Sequence, residues 1–222
     1  MTLTTVRHAC DTSGMRIPHA VLRRNLAHPE AVIARAAVNP PLGVEICLYF
    51  GVVFELIRLH LSAQAVVLWL RLRERVPEGS ALFDRMERQC TALEDATAAA
   101  ERALIAFKRE ATPVHGRRLA EAIRTLAKVL DVHLADEERD ILPIAAQNMD
   151  QEEWDQMAGY ALSHYSGGKP WLPLGLLFDQ MTAEEREMML GTLSPQLLVI
   201  WEGDGPGQYR ELMTHVRPGM TI

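Results

Sequence analysis

Val132-His-Leu-Ala-Asp-Glu-Glu-Arg-Asp-Ile-Leu-Pro143 is the stretch from which the fold can be read. Into and through it, Leu126, Leu130, His133, Glu137 and Ile141 recur at steps of four, three, four and four. That spacing puts all five on one face of an α-helix. The face is otherwise apolar, so His133 and Glu137 are expected to point inward. An earlier stretch repeats the pattern with Val53, Ile57, His60, Gln64 and Val67. A buried imidazole with a carboxylate or amide one turn beyond it is costly unless paired or bound to a metal. One such pair arises by chance in any long helix. Two pairs on two helices are much harder to obtain that way, and helix-bundle cores bind metals through inward His and carboxylate side chains of this kind.

Working outward, proline and glycine divide the chain into long helical segments. A first helix is expected from Arg16 to Ala27, with a short continuation beyond His28-Pro29 to Ala37. Asn39-Pro40-Pro41 breaks it, and a second helix runs from Leu42 to Arg75. A third, with Ser80 as N-cap, runs to Glu110, and a fourth starts at Thr112-Pro113 and ends near Ala146. The expected fold is therefore all-α, an up-down four-helix bundle over residues 1–148. Residues 149–222 are expected to add three or four short helices packed on the bundle. Asp150 to Glu153 and Thr182 to Glu185 are capping-box patterns, Ser194-Pro195 starts a helix, and Gly203 to Gly207 reads as a loop. The first helix offers His19 to the interior. The third offers Cys90, in line with Phe83, Met86, Leu93 and Thr97, with Glu94 one turn further on.

The bulk composition sets limits on partners. The chain has 222 residues and a net charge of -6, and its arginine clusters have acids beside them, which argues against nucleic acid. The most apolar run, Ala65 to Leu70, ends at Arg71 and is too short to span a bilayer, so no membrane partner is expected. Residues 1–14 lack the apolar stretch of a signal peptide. The three cysteines match no disulfide or zinc spacing. The expectation is a cytoplasmic protein. Nothing in the sequence sets an oligomeric state.

The fourth-helix stretch resembles the signature of the hemerythrin-like (HHE cation-binding) domains, His-Leu-x-x-Glu-Glu-x-x-Leu-x-Pro. His60-Leu-Ser-Ala-Gln-Ala-Val-Val-Leu-Trp69 is similar to that family's His-x-x-x-Glu-Asp-x-x-Leu-Trp run. Met15 to His19 and Met86 to Cys90 resemble its first- and third-helix segments. Trp154, Pro170 to Phe178, Pro195 to Trp201 and Tyr209 fit a bacterial group with an extra C-terminal helical segment. The resemblance implies a metal site, in that family two irons or sometimes manganese or zinc, held between the helices by histidines and two bridging carboxylates. By position it implies His19, His60, His133 and Glu137 as ligands. Gln64 stands where a bridging Glu is expected, and Cys90 where a His is expected.

These departures thin the ligand set. Gln64 is neutral and a poor bridge, so an ordinary di-iron centre is not expected. Cys90 as a thiolate, and Glu94 as an anion, are candidate replacements. Three readings stay open. In one, a single iron (or manganese or zinc) survives on His19, His60 and Glu137, a two-His, one-carboxylate set suited to non-haem oxygenases and oxidases, with His133 as a further ligand or an orienting partner. In another there is no metal. His60, His133 and Glu137 then act as acid–base catalysts of an isomerase or cyclase, beside a pocket for a hydrophobic small molecule lined by Leu61, Val66, Val67, Leu70 and Met86. In the third, the protein is a non-catalytic binding or sensing module.

Overall fold

The computed structural model describes residues 9–217, so the reading of residues 1–14 lies in part outside it. The chain is all-α, and no strand occurs among the described residues. After a short 3-10 turn, α1 (Arg16–Leu26) and α2 (Pro29–Val38) are joined at His28, which takes the left-handed conformation with φ 53°. Pro40 and Pro41 then separate α2 from α3 (Leu42–Ala63). A π-helical turn (Gln64–Trp69) continues α3 without a break into α4 (Leu70–Arg75). A 3-10 turn over Pro77–Gly79 leads to α5 (Ser80–Arg109), and α6 (Pro113–Asp136) follows. A second π turn (Glu137–Ile141) carries α6 into α7 (Leu142–Asn148).

Local chemistry explains most of these boundaries. Thr112 caps α6 by accepting from the His115 N–H, and Pro113 occupies the first turn, where no N–H is needed. Ser80 is not the N-cap that its sequence suggested. Its backbone N–H already bonds to Pro77 O, which places it inside α5, and Gly79 takes the cap position without a side-chain bond.

The C-terminal part holds five helices rather than three or four. They are α8 (Gln151–His164), α9 (Trp171–Phe178), α10 (Ala183–Thr192), α11 (Pro195–Glu202) and α12 (Gly205–Val216). The extra one arises where a loop was expected, because Pro206 sits in the first turn of α12 and needs no hydrogen-bond donor there. Capping boxes at Asp150/Glu153 and Thr182/Glu185 start α8 and α10, and Ser194 caps α11. Trp171, Leu172 and Leu176 of α9 and Tyr209, Leu212, Met213 and Val216 of α12 join the main apolar cluster of α1, α2, α3, α5 and α6. Among the described residues no helix is long and apolar enough to cross a membrane.

The core is divided in a way that places the polar residues. The large cluster holds Leu22, Ile57, Leu93 and Leu130, and a second holds Met15, Val67, Met86 and Ile141. Along α1 the chain passes from the second cluster to the first, and His19 marks the change. Along α3 it passes from the first to the second at His60 and Gln64. The order reverses again along α5 at Cys90, and again along α6 at His133 and Glu137. The polar residues of these helices thus lie where the two apolar clusters meet.

Candidate metal centre

There the side chains converge on one carboxylate oxygen. Glu137 Oε2 lies 3.5 Å from His19 Nε2, 3.3 Å from His60 Nε2 and 3.7 Å from His133 Nε2. Ligand atoms of His19, His60 and Glu137 all lie within 4.8 Å of one another, and these three buried residues could hold a metal ion. The His60 ring stands edge-on to both other imidazoles, at interplanar angles of 75° and 86°. Both π turns begin at the residue one turn after an inward histidine, Gln64 after His60 and Glu137 after His133. Wide turns of this kind inside α-helices concentrate at functional sites.

The electrostatics follow from burial against pairing. Glu137 is fully buried, which would raise its pKa, yet the neighbouring imidazoles of His60 and His19 hold the carboxyl well below its usual range. His19 is also fully buried, which would lower its pKa, but Glu137 and Glu138 outweigh that and raise it. Burial dominates at His133. Glu137 opposes it, His60 and His19 add to it, and the pKa falls to about 4.

The hydrogen-bond ledger of this layer does not close. His19 Nε2, both ring nitrogens of His133, Gln64 Oε1 and Glu137 Oε1 are buried without a hydrogen-bond partner. Buried polar atoms are rarely left so, and five at one level need an explanation. His19 Nδ1 faces the Glu138 carboxylate at 2.7 Å and so carries a proton. In the neutral ring, Nε2 then turns a lone pair towards Glu137 Oε2. Two electron pairs facing across 3.5 Å repel unless a cation lies between them, either a proton or a metal ion. The donor set, two imidazole nitrogens and one carboxylate oxygen, suits iron, manganese or zinc. The residues present therefore fit a metal ion.

Other residues that the sequence had singled out lie elsewhere. Cys90 is half-buried and contributes no atom to the cluster. Burial first, and then the negative charges of Glu137, Glu94 and Glu87, push its thiol up to about 12, which disfavours the expected thiolate. Glu94 is exposed, because four residues beyond Cys90 the helix has turned past the buried line of Leu93 and Thr97. Gln64 Nε2 lies 3.0 Å from His60 Nε2, so this side chain borders the site as an amide. Leu61, Val67 and Met86 are buried in the apolar layers on either side. Val66 and Leu70 are exposed and line nothing inside. Val66, two residues past Gln64, lies about 200° further round the helix.

Glu138 and Arg23 escaped the sequence reading. Glu138 follows Glu137 directly, and its neighbour's inward face hid its own role. It accepts from His19 Nδ1, and Arg23 binds it with both terminal nitrogens, at 2.5 and 3.1 Å. The signal that would have found them is the pair His19 and Arg23, one turn apart on α1, facing an acid next to the motif carboxylate. His164 is exposed, stacks on Tyr160 and is not one of the clustered residues. No protein-family model, no curated protein and no solved structure matches this chain.

Proposed function

We propose that the chain is a hemerythrin-like protein whose described residues up to 148 form an up-down four-helix bundle. In its core a single transition-metal ion is held by His19, His60 and Glu137. The observation that carries this reading is the meeting of two imidazole nitrogens and one carboxylate oxygen from three helices, among buried polar atoms that lack partners. The alternation of the two apolar layers along α1, α3, α5 and α6 supports the up-down arrangement. The described residues from 149 onward form an extension packed on the bundle. Three unpaired cysteines suit a reducing compartment such as the cytoplasm.

The activity that follows is of the oxygenase or oxidase type, on a hydrophobic small molecule. A two-His, one-carboxylate iron supplies redox chemistry with dioxygen when bound. Glu137 provides the anion that offsets the ion's charge in a dry core, and His19 and His60 provide neutral nitrogen donors. Gln64, being neutral, leaves that charge balance set for one ion rather than two. His133, with a pKa of about 4, stays neutral beside the site and offers a further nitrogen. The apolar layers above and below exclude water.

A second reading is supported by the raised pKa of His19 against the lowered one of Glu137. A proton held on His19 beside an ionised Glu137 would serve metal-free acid–base catalysis of an isomerase or cyclase type. Anaerobic reconstitution with iron(II), manganese(II) or zinc(II), followed by desalting and elemental analysis, separates the two. One ion per chain, lost in His60→Ala and Glu137→Gln, is the expected result. A wild-type chain that retains no transition metal would overturn the metal reading and leave the acid–base one.

A further inference from the structure

The geometry points to Glu138 as the residue that positions His19 for metal binding, with Arg23 fixing Glu138 in turn. This rests on the single-ion reading above. Glu138 lies one residue past Glu137, so its side chain leaves the helix about 100° round and reaches α1 instead of the centre. Its Oε1 accepts from His19 Nδ1 at 2.7 Å. Arg23 holds the same carboxylate side-on, with Nη1 at 2.5 Å from Oε1 and Nη2 at 3.1 Å from Oε2. A two-point grip of this kind fixes the plane of a carboxylate as well as its place.

The consequence falls on His19. With the proton on Nδ1, its Nε2 presents a lone pair at the point it shares with Glu137 and His60. Turning the ring over would set a carbon against Glu138 and withdraw the donor nitrogen. Such outer hydrogen bonds orient a ligand imidazole and raise its basicity, and their loss weakens metal affinity about 10–100-fold. Among the described residues His60 and His133 have no equivalent. The partners of His60 are Gln64 and Glu137, and neither nitrogen of His133 makes a hydrogen bond. The clamp is therefore specific to the ligand from α1.

Glu138 is also open to change. Its side chain is 39% exposed and borders a surface cleft with Thr12, Ser13, Arg16, Leu142 and Pro143, so replacing it buries nothing new. The test is zinc(II) affinity of the full chain by competition with a chromophoric chelator, read beside the imidazole ¹⁵N–¹H correlations of the zinc-loaded protein. Wild type is expected to bind one ion and show a protected His19 Nδ1–H. Glu138→Ala is expected to lose about 10–100-fold in affinity together with that signal. Glu138→Gln, whose amide oxygen still accepts from Nδ1–H but carries no charge, is expected to fall between. Arg23→Gln, which frees the carboxylate, is expected to do the same, and these two variants carry the test should Glu138→Ala not fold. Wild-type affinity in these variants, or lost affinity in Glu138→Ala with the Nδ1–H signal intact, would overturn the assignment. Failure of wild type itself to bind zinc or any other transition metal would sink the single-ion reading instead.

Discussion

His133→Leu should make the metal-free protein more stable and the metal-loaded protein less so. The His133 ring has no exposure, and neither nitrogen makes a hydrogen bond. Its distance of 3.7 Å to Glu137 Oε2 is too long for one. With a pKa of about 4 the ring is neutral at pH 7, so its removal takes no counter-charge from Glu137. A buried donor or acceptor left unmade costs about 1–3 kcal/mol. Leucine has nearly the volume of histidine and no polar atoms, and it would sit among Leu130, Leu134 and Ile141. Counting both nitrogens at the low end of that range gives a gain of about 2 kcal/mol in chelator. In a chain of this size that raises the melting temperature by about 4–8 °C. With iron(II) or zinc(II) in excess the order should reverse, because wild type keeps a nitrogen beside the ion that the variant lacks. The assay is a pair of thermal melts for each protein, one in chelator and one in metal. A variant destabilised in chelator by as much as wild type exceeds it in metal would refute the argument, since His133 would then be ordinary packing.

Two further outcomes bear on the packing of the C-terminal helices. Hydrogen bonds from Arg75, at 2.7 and 2.5 Å, lower the Glu153 pKa from 4.5 to about 2, against the opposing effect of burial. A depressed carboxylate contributes stability above its unfolded pKa and loses it as pH falls through the folded one. The wild-type chain should therefore lose on the order of 1 kcal/mol between pH 4.5 and pH 2 that Glu153→Gln does not, as read by urea unfolding across that window. A side chain at Gly175 would run into the Tyr209 ring, whose hydroxyl donates to Asp179 at 2.5 Å. Gly175→Ala should cost about 1–3 kcal/mol in the same assay, partly offset by the better helix propensity of alanine, and a more stable variant would show that α12 does not rest on this contact.

Much of this molecule was legible in its sequence, because the signals were local. Thr112-Pro113, Asp150/Glu153 and Ser194-Pro195 each announce a helix start through side-chain chemistry that needs no distant partner. The inward faces carrying His60 and His133 were legible because period alone decides them. What stayed hidden depended on the third dimension. The α12 start at Gly205 was masked by glycines that normally signal a loop. Cys90 and Glu94 share a helix with the right line of residues, but only the packed structure shows that neither joins the cluster. Val66 and Leu70 looked like pocket walls because they are apolar, and composition carries no direction. Glu138 and Arg23 were missed because their partnership with His19 links α1 to a π turn more than a hundred positions away.

The π turns carry a consequence for descent. Such a turn holds one residue more than the α-turn it replaces. In the gene that difference is a single codon, gained or lost between His60 and Leu72, or between His133 and Ala145. A lineage could thus reshape this centre by one small insertion or deletion, with every histidine and acid retained. In comparing relatives, the count of residues between the motif histidine and the next buried leucine or alanine is as much a part of the site as the histidine itself.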